Sequence, residues 1–394
     1  MVFGHKNDKL RLPHSYDGDH RAQLTAEPKQ LIQIAYHNDK LHRRLYLVNS
    51  SCPSVSNSFE ILVMLVRNLS ANQLRVSAPA KVNLYLELLG KRPDGFHELE
   101  TIMTTVSLFD QLSFSSNRSG RLNLSMELVE PARSAGRDNR DGIADTQNEL
   151  IPTDERNLII KALILLRRIA SQNNSEGTGT DRNGVPGMDV QLKKRIPSAA
   201  GLGGASSNAA AALLAGNKLW NLHLSHQQLA EAAAEIGSDV PFFLTGGMAM
   251  CRGRGEKVSA IQSPAGLSIL IAKPPVGLST PRVFSQCRLP ATPRSSMQAI
   301  ASVQTGRADL IAGSLLNRLQ PAAAGLLEEI GKLEDEFSEL PCLGHQMSGS
   351  GTSYCGLFRN RAIARAAATR LSARWPALKV HCVTSLSRSG ELIA

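Results

Sequence analysis

A two-domain fold mixing helices and strands is expected for this chain, on three observations. Its 394 residues exceed what one hydrophobic core usually organises and suit two. Segments with the two-residue alternation of strands are mixed with segments of helical spacing. No internal repeat runs through them.

Taken in order, the chain opens on a segment unlike the rest. Residues 1–63 carry five of the ten histidines, little periodicity and the polar stretch "VNSSCPSVSNS" (48–58). They contain no apolar segment suited to a secretory signal, and too many acids for a transit peptide. Residues 1–70 are therefore expected to be a disordered extension or an over-extended start, with Met64 the candidate initiator. "LRVSAPAKVNLYLELLG" (74–90) alternates as a strand, and "TIMTTVSLFDQLSFSS" (101–116) reads as a strand pair joined at Phe109-Asp110. "RLNLSMELVE" (121–130) is a further strand, and residues 130–152 form a charged surface insertion. "DERNLIIKALILLRRIASQ" (154–172) has helical spacing; "SEGTGTDRNGVPG" (175–187) is a loop. "MDVQLKKRIP" (188–197) is a strand running into a glycine-rich stretch. Helices follow at about 205–219 and 225–236, then a turn at Gly237-Ser238-Asp239 and the strand "GMAMCRGRG" (247–255). "LSILIAKPP" (267–275) opens a second unit, with helices near 280–286, 296–302, 307–318 and 321–334. "GHQMSGSGTSYCGLF" (344–358), an arginine-bearing helix (359–375) and "KVHCVTSL" (379–386) close it. The expected domains are 71–265 and 266–394.

Composition excludes several classes. Hydrophobic residues are 42% and charged residues 20%, enough for ordinary cores. No apolar run approaches the roughly 20 residues of a membrane span; "ILVMLV" stops at Arg67. The six cysteines, Cys52, Cys251, Cys287, Cys342, Cys355 and Cys382, show no CxxC pair and no histidine at metal spacing. They suit a reduced, cytoplasmic protein better than a disulfide framework. The net charge of +10 is spread along the chain. Arg361, Arg365, Arg370 and Arg374 fall near one helix face, a pattern more typical of a solvated face than of a polyanion site. With 4% aromatics and no stacking motif, a nucleic-acid partner is not expected, nor is a membrane. A basic balance also suits an enzyme of polyphosphate substrates.

The chemistry concentrates in "IPSAAGLGGASSNAAA" (196–211). Pro197 turns the chain, and Gly201, Gly203 and Gly204 let backbone N–H groups converge on one point before an alanine-rich helix. That helix adds free N–H groups and the positive end of its dipole. Ser206 and Ser207 are placed to cap it or to donate hydroxyls to phosphate and magnesium. The Walker spacing and the dinucleotide GxGxxG spacing are both absent, so a plain flexible loop remains an equal reading on the glycines alone. Two segments accompany it. "PAKVNLYL" (79–86) sets Lys81 and Asn83 on one side of a strand. "EIGSDVPFFL" (235–244) sets Asp239 at a turn beside apolar residues, where desolvation would raise a carboxylate's pKa and suit it as a base. Singly, Asp239 reads more readily as an ordinary helix cap and Lys81 as a surface lysine; only their conjunction points to chemistry.

In order and spacing, "PAKVNLYL", "IPSAAGLGGASSNAAA" and "MSGSGTSYCGLF" resemble the three motifs of the GHMP small-molecule kinases, over roughly residues 74–390. "GKRPDGFHELETIM" (90–103), "DERNLI" (154–159) and "GSDVPFF" (237–243) are similar to the branch acting on a cytidyl-diphospho-methylerythritol. The resemblance implies a two-domain α+β fold, with an N-terminal domain like ribosomal protein S5 domain 2 and a ferredoxin-like C-terminal domain. It implies transfer of the γ-phosphoryl of ATP to a substrate hydroxyl, with Mg²⁺. Asp239 matches the aspartate that accepts the hydroxyl proton, and Lys81 its partner lysine. Asn83 matches a substrate contact, and His97 the residue reading the cytosine edge. Phe96 and Phe284 match the two aromatic residues that stack the base, Phe96 standing where tyrosine is usual. Thr280 matches a position near the substrate's diphosphate.

Asn157, Leu158 and Lys194 match positions around the adenosine. Pro197, Ser198, Ala199, Ala200, Gly201, Leu202, Gly203, Gly204, Ala205, Ser206 and Ser207 match the triphosphate loop. Ala205 stands where glycine is common and Ala199-Ala200 replace a glycine pair, which requires negative φ at those places. Gly349, Ser350 and Gly351 match the third motif, which lies against that loop. The Mg²⁺ ligands and the choice between monomer and homodimer stay open. The rival readings are a GHMP kinase for homoserine, mevalonate or a sugar, disfavoured by Phe96 and His97, and a non-catalytic GHMP-fold binding protein, disfavoured by Lys81 and Asp239 together.

Overall fold

Residues 64–129, 151–175, 185–264 and 266–387 are described by a computed structural model. The expected N-terminal extension lies outside them as far as residue 63, as does most of the 130–152 insertion and of the 175–187 loop.

Period-two alternation builds the first sheet around two long strands. β1 (Leu65–Ser70) leads into β2 (Gln73–Lys91), which pairs antiparallel with β3 (His97–Asn117) along its length. β1 begins ahead of the expected boundary at 71, because its backbone is paired from Leu65↔Ser77 onward. β3 is one continuous strand through Phe109-Asp110, not two strands joined by a turn. Asp110 is fully buried there, held by donors from Lys194, Arg195, Ile196 and Asn208 rather than by solvent. β4 (Leu122–Leu128), α1 (Leu158–Ser175) and β5 (Gly187–Lys194) follow, then α2 (Gly204–Leu219) and α3 (His226–Ile236). The short α4 (Val240–Thr245), with Pro241 in its first turn, and the strand β7 (Lys257–Ile261) after β6 (Met248–Gly253) add to the expected elements.

The second sheet is antiparallel, in the order β10-β11-β8-β12. Its members are β8 (Ser268–Lys273), then, after α5 (Thr280–Gln286), α6 (Met297–Thr305), α7 (Ala308–Ala312), β9 (Leu316–Asn317), α8 (Gln320–Leu326) and α9 (Glu328–Ser338), the hairpin β10 (Gly344–Met347) and β11 (Tyr354–Phe358). α10 (Arg361–Arg374) and β12 (Lys379–Thr384) complete the chain. β9 leaves this unit to pair parallel with β2 in the first, eight-stranded sheet. The helix expected over 321–334 is broken at Leu327, whose extended backbone (φ −149°, ψ 110°) separates α8 from α9.

Three cores hold these layers. α1 to α4 cover the first sheet through Leu163, Leu166, Ala210, Leu213 and Phe242. β8 divides its side chains by alternation: Ile269 and Ile271 join Val82 and Leu84 of β2, while Leu270 and Ala272 join α9 and α10 on the opposite face. A bulge in β2 between Asn83 and Tyr85 shifts the phase, so Tyr85 enters the same core as Val82. Cys251, Cys287, Cys342, Cys355 and Cys382 are unpaired thiols; burial pushes Cys355 up to about 12 and keeps it a neutral core residue. Arg370 and Arg374 of the arginine stripe reach Glu339, and Arg374 also reaches Glu336. No helix among the described residues is long and apolar enough to cross a membrane.

Candidate active site

β5 ends at Lys194, and residues 195–203 loop into α2. Gly201 (φ 70°) and Gly203 (φ 68°) occupy left-handed backbone. A Cβ on Gly201 would lie 2.0 Å from the Ser348 carbonyl oxygen, and one on Gly203 would lie 2.8 Å from Phe243 Cζ and 3.0 Å from Lys81 Cγ. Conformation and close approach both demand glycine here. α2 starts directly after Gly203, without a side-chain cap. Ser206 and Ser207 lie within its first turn and do not cap it, which leaves the other expected use of their hydroxyls, toward phosphate and magnesium. Ser207 N is bonded to Gly203 O at 2.9 Å, so Gly204, Ala205 and Ser206 present the helix's free N–H groups. Ser207 Oγ is buried and has no partner.

Ala199 departs from expectation. Its φ is +46°, in the region where a β-carbon crowds the following carbonyl. Ala199→Gly is therefore expected to raise Tm by roughly 1–3 °C, the left-handed cost outweighing glycine's extra unfolded-state entropy. A lower Tm in a thermal melt would contradict this.

Lys194 lies under the start of α2, its Nζ 3.0 Å from where a Cβ on Gly204 would sit. It is 7% exposed and committed to Asp110 Oδ2 and Ile196 O, both at 2.6 Å. Burial pulls its ammonium below the usual lysine range, against the opposing charge of Asp110. Asp110 also accepts from Arg195 N (2.7 Å), Ile196 N (2.8 Å) and Asn208 Nδ2 (2.9 Å). One carboxylate thus ties both ends of the loop together. Its sequence signal was a lone acid inside an alternating apolar run.

Lys81 and Asn83, two residues apart on β2, point together as spacing requires: Lys81 Nζ donates to Asn83 Oδ1 at 2.6 Å. Lys81 N donates to Leu202 O at 3.0 Å, stitching β2 to the loop. Asp239 Oδ2 lies 3.7 Å from Lys81 Nζ. Asp239 holds the cap position of α4, yet its side chain makes no cap hydrogen bond. It is 34% exposed, so it faces open space beside Lys81 rather than the apolar enclosure expected from its neighbours.

Residues 348–353 join β10 to β11 and press on both parts. Ser348 Oγ donates to Gly201 O (3.1 Å) and accepts from Asn83 N (3.3 Å). Ser353 N donates to Ala200 O at 3.1 Å. A Cβ on Gly349 would lie 3.1 Å from Lys81 Nζ. Ser350 Oγ pairs with Thr280 Oγ1 at 2.8 Å, bringing α5 to this turn.

At the other end of the site, the His97 and Phe284 rings lie 5.3 Å apart. Burial, with Lys91 nearby, holds the His97 imidazole below its ordinary pKa, hence neutral at pH 7 with one donor and one acceptor. Phe96 is 48% exposed. His97 and Thr101 share one face of β3, roughly 13 Å apart at strand rise. Thr101 Oγ1 accepts from Asn83 Nδ2 at 2.7 Å, so one strand links the aromatic end to the Lys81 end. Asn157 is not joined to this group by any bond among the described residues. Its Oδ1 accepts from Ile159 N and its Nδ2 donates to Pro152 O, fixing the start of α1, while Leu158 packs on the core.

Known proteins match this chain in sequence and fold. Residues 157–247 match the family model of the GHMP kinases N terminal domain, and residues 299–377 that of GHMP kinases C terminal. The 4-diphosphocytidyl-2-C-methyl-D-erythritol kinase of Pelotomaculum thermopropionicum is 36% identical over 295 residues, covering 74% of this chain and 92% of that protein. The protein of the same name from Brevibacillus brevis is 35% identical over 292 residues, covering 74% and 89%. A crystal structure of a 4-(cytidine 5'-diphospho)-2C-methyl-D-erythritol kinase superposes with TM-score 0.59 at 28% identity, covering 79% of this chain and 98% of that one. The motif order, the α+β fold and these relatives agree: the chain belongs to the GHMP kinases, in the 4-diphosphocytidyl-2-C-methyl-D-erythritol kinase family.

Proposed function

We propose that the chain transfers the γ-phosphoryl group of ATP to the 2-hydroxyl of 4-diphosphocytidyl-2-C-methyl-D-erythritol, giving the 2-phosphate and ADP, in non-mevalonate isoprenoid synthesis. The observation that carries this is the Lys81–Asp239 pair, 3.7 Å apart beside the free N–H groups of α2, with a neutral histidine at the start of the neighbouring strand β3 next to the rings of Phe96 and Phe284. Phosphoryl transfer is governed by positioning and charge stabilisation more than by covalent catalysis.

In this reading, residues 197–207 cradle the triphosphate by backbone N–H groups and the α2 dipole. Asp239 takes the proton of the attacking hydroxyl. Lys81, held by Asn83, orients that carboxylate and offsets negative charge on the attacking oxygen. ADP then leaves with the electron pair of the broken P–O bond. His97 presents a donor and an acceptor to the cytosine edge, Phe96 and Phe284 flank the base, and Thr280 with Ser350 lies toward the diphosphate.

Mg²⁺ fits as an ion brought with ATP. Among the described residues no cluster of three His, Cys, Asp or Glu could hold a metal, while Ser206 and the unpartnered Ser207 hydroxyl belong to the oxygen chemistry magnesium prefers. When bound it would neutralise phosphate charge.

A coupled ADP-release assay tests the proposal with the cytidyl compound, homoserine and mevalonate side by side. Turnover confined to the cytidyl compound is expected; comparable turnover of either other acceptor would refute it. His97→Ala should raise KM for the cytidyl compound about 10- to 100-fold, the scale on which a ligand's buried polar group suffers when its partner is removed. KM for ATP should stay close to wild type, and equal losses for both ligands would argue against base reading.

A further inference from the structure

The turn between β6 and β7 contains one side chain that the family motifs do not use. Gly253 and Gly255 hold it in left-handed conformations, with φ of 75° and 118°. Glu256 closes it by accepting from Arg254 N at 2.8 Å. Since β6 pairs with β3 at Leu99↔Gly253, the turn stands beside the start of β3, where Phe96 and His97 lie. Arg254 leaves the turn half-buried, and one guanidinium nitrogen donates to Ala234 O, in the last turn of α3, at 2.6 Å. Carbonyls there are the negative end of the helix and hold a cation well. The same guanidinium lies over the Phe96 ring, with Cζ 5.2 Å from its centroid. The loop beneath has contacts of its own: Arg92 clamps Asp94 and Glu98, and Asp94, which also feels the Arg254 charge, accepts from Phe96 N at 3.1 Å.

We infer that Arg254 is a positioning residue for nucleobase binding, holding one face of Phe96 so that the other is preset for the base. An exposed phenylalanine has rotamer freedom to lose when a ligand stacks on it. A guanidinium anchored on Ala234 removes part of that cost before substrate arrives, and a cation over the ring is attracted by its quadrupole. The inference rests on the reading of Phe96 as a base-stacking side chain. The turn also approaches the reacting end, since a Cβ on Gly255 would lie 3.7 Å from Asp239 Oδ1. Any test must therefore separate an effect on Phe96 from an effect on Asp239.

The experiment compares wild type, Arg254→Ala, Arg254→Lys, Phe96→Leu and the Arg254→Ala/Phe96→Leu double variant. It measures KM for the cytidyl compound, KM for ATP and kcat, together with ¹⁹F NMR of ligand-free protein carrying 4-fluorophenylalanine, the Phe96 signal being assigned by Phe96→Leu. Arg254→Ala is expected to raise KM for the cytidyl compound about three- to five-fold, the scale of an exposed cation–π contact, with a smaller change in kcat and in KM for ATP. Arg254→Lys should recover part of the loss, and the double variant should be no worse than Phe96→Leu. The Phe96 resonance should move in Arg254→Ala. Additive losses in the double variant, or a fall in kcat alone, would show that Arg254 acts on substrate or on Asp239 and would overturn the inference. So would an unmoved Phe96 resonance, whatever the substrate. Absence of wild-type turnover on the cytidyl compound would instead overturn the reading beneath it.

Discussion

Replacing Asp239 by asparagine is expected to lower kcat by about 10²- to 10⁴-fold, the scale on which general bases act. The size of the side chain is retained, and the carboxylate makes no cap hydrogen bond that the fold would lose. A one-third exposed position tolerates the change, so stability should stay within about 0.5 kcal/mol of wild type. What disappears is the charge facing Lys81 and, in the proposed reaction, the acceptor for the hydroxyl proton. An ADP-release assay with a parallel thermal melt measures both quantities. Near-normal turnover would remove Asp239 from the reaction, whereas a large fall in Tm would assign it a structural part.

The largest stability effect is expected at Asp110, which anchors the loop ahead of α2. Asp110→Ala should cost about 3–5 kcal/mol in urea unfolding, the range for breaking one side of a buried ion pair. The Lys194 ammonium, 7% exposed, would lose its counter-charge. The amides of Arg195 and Ile196 would lose their acceptor as well. Asp110→Leu combined with Lys194→Met should recover only part of the loss: no charge is left unpaired, but Arg195 N, Ile196 N and Asn208 Nδ2 still lack their acceptor. A loss below about 1 kcal/mol for Asp110→Ala would show that water or a shifted side chain replaces the carboxylate.

The contrast between these residues shows what a one-dimensional reading can reach. Lys81 and Asn83 are legible because strand geometry alone puts residues two apart on one face, and their hydrogen bond realises it. Gly201 and Gly203 are legible because only glycine accepts their backbone at such close approach. Asp110 was not, since a lone acid after phenylalanine looks like a turn, and its partners lie 84 to 98 residues away. The positive φ of Ala199 was equally hidden, as alanine carries no signal for left-handed backbone. Arg254 belongs to the same class: the ring it covers comes from a hairpin remote in sequence. The short α4, bounded by Pro241 and Gly246, spans too few residues to show a helical period.

The carbonyls of Ala200 and Gly201 are satisfied by Ser353 and Ser348, the second of them 147 residues later in the chain. This dependence has a temporal side. A ribosome that has released the glycine run must work for roughly 7–30 s more before Ser348 exists, at ordinary elongation rates. Until then the nascent chain carries the phosphate-binding signature without a finished cradle. Truncated products of this gene would hold the motif and still be unable to spend ATP.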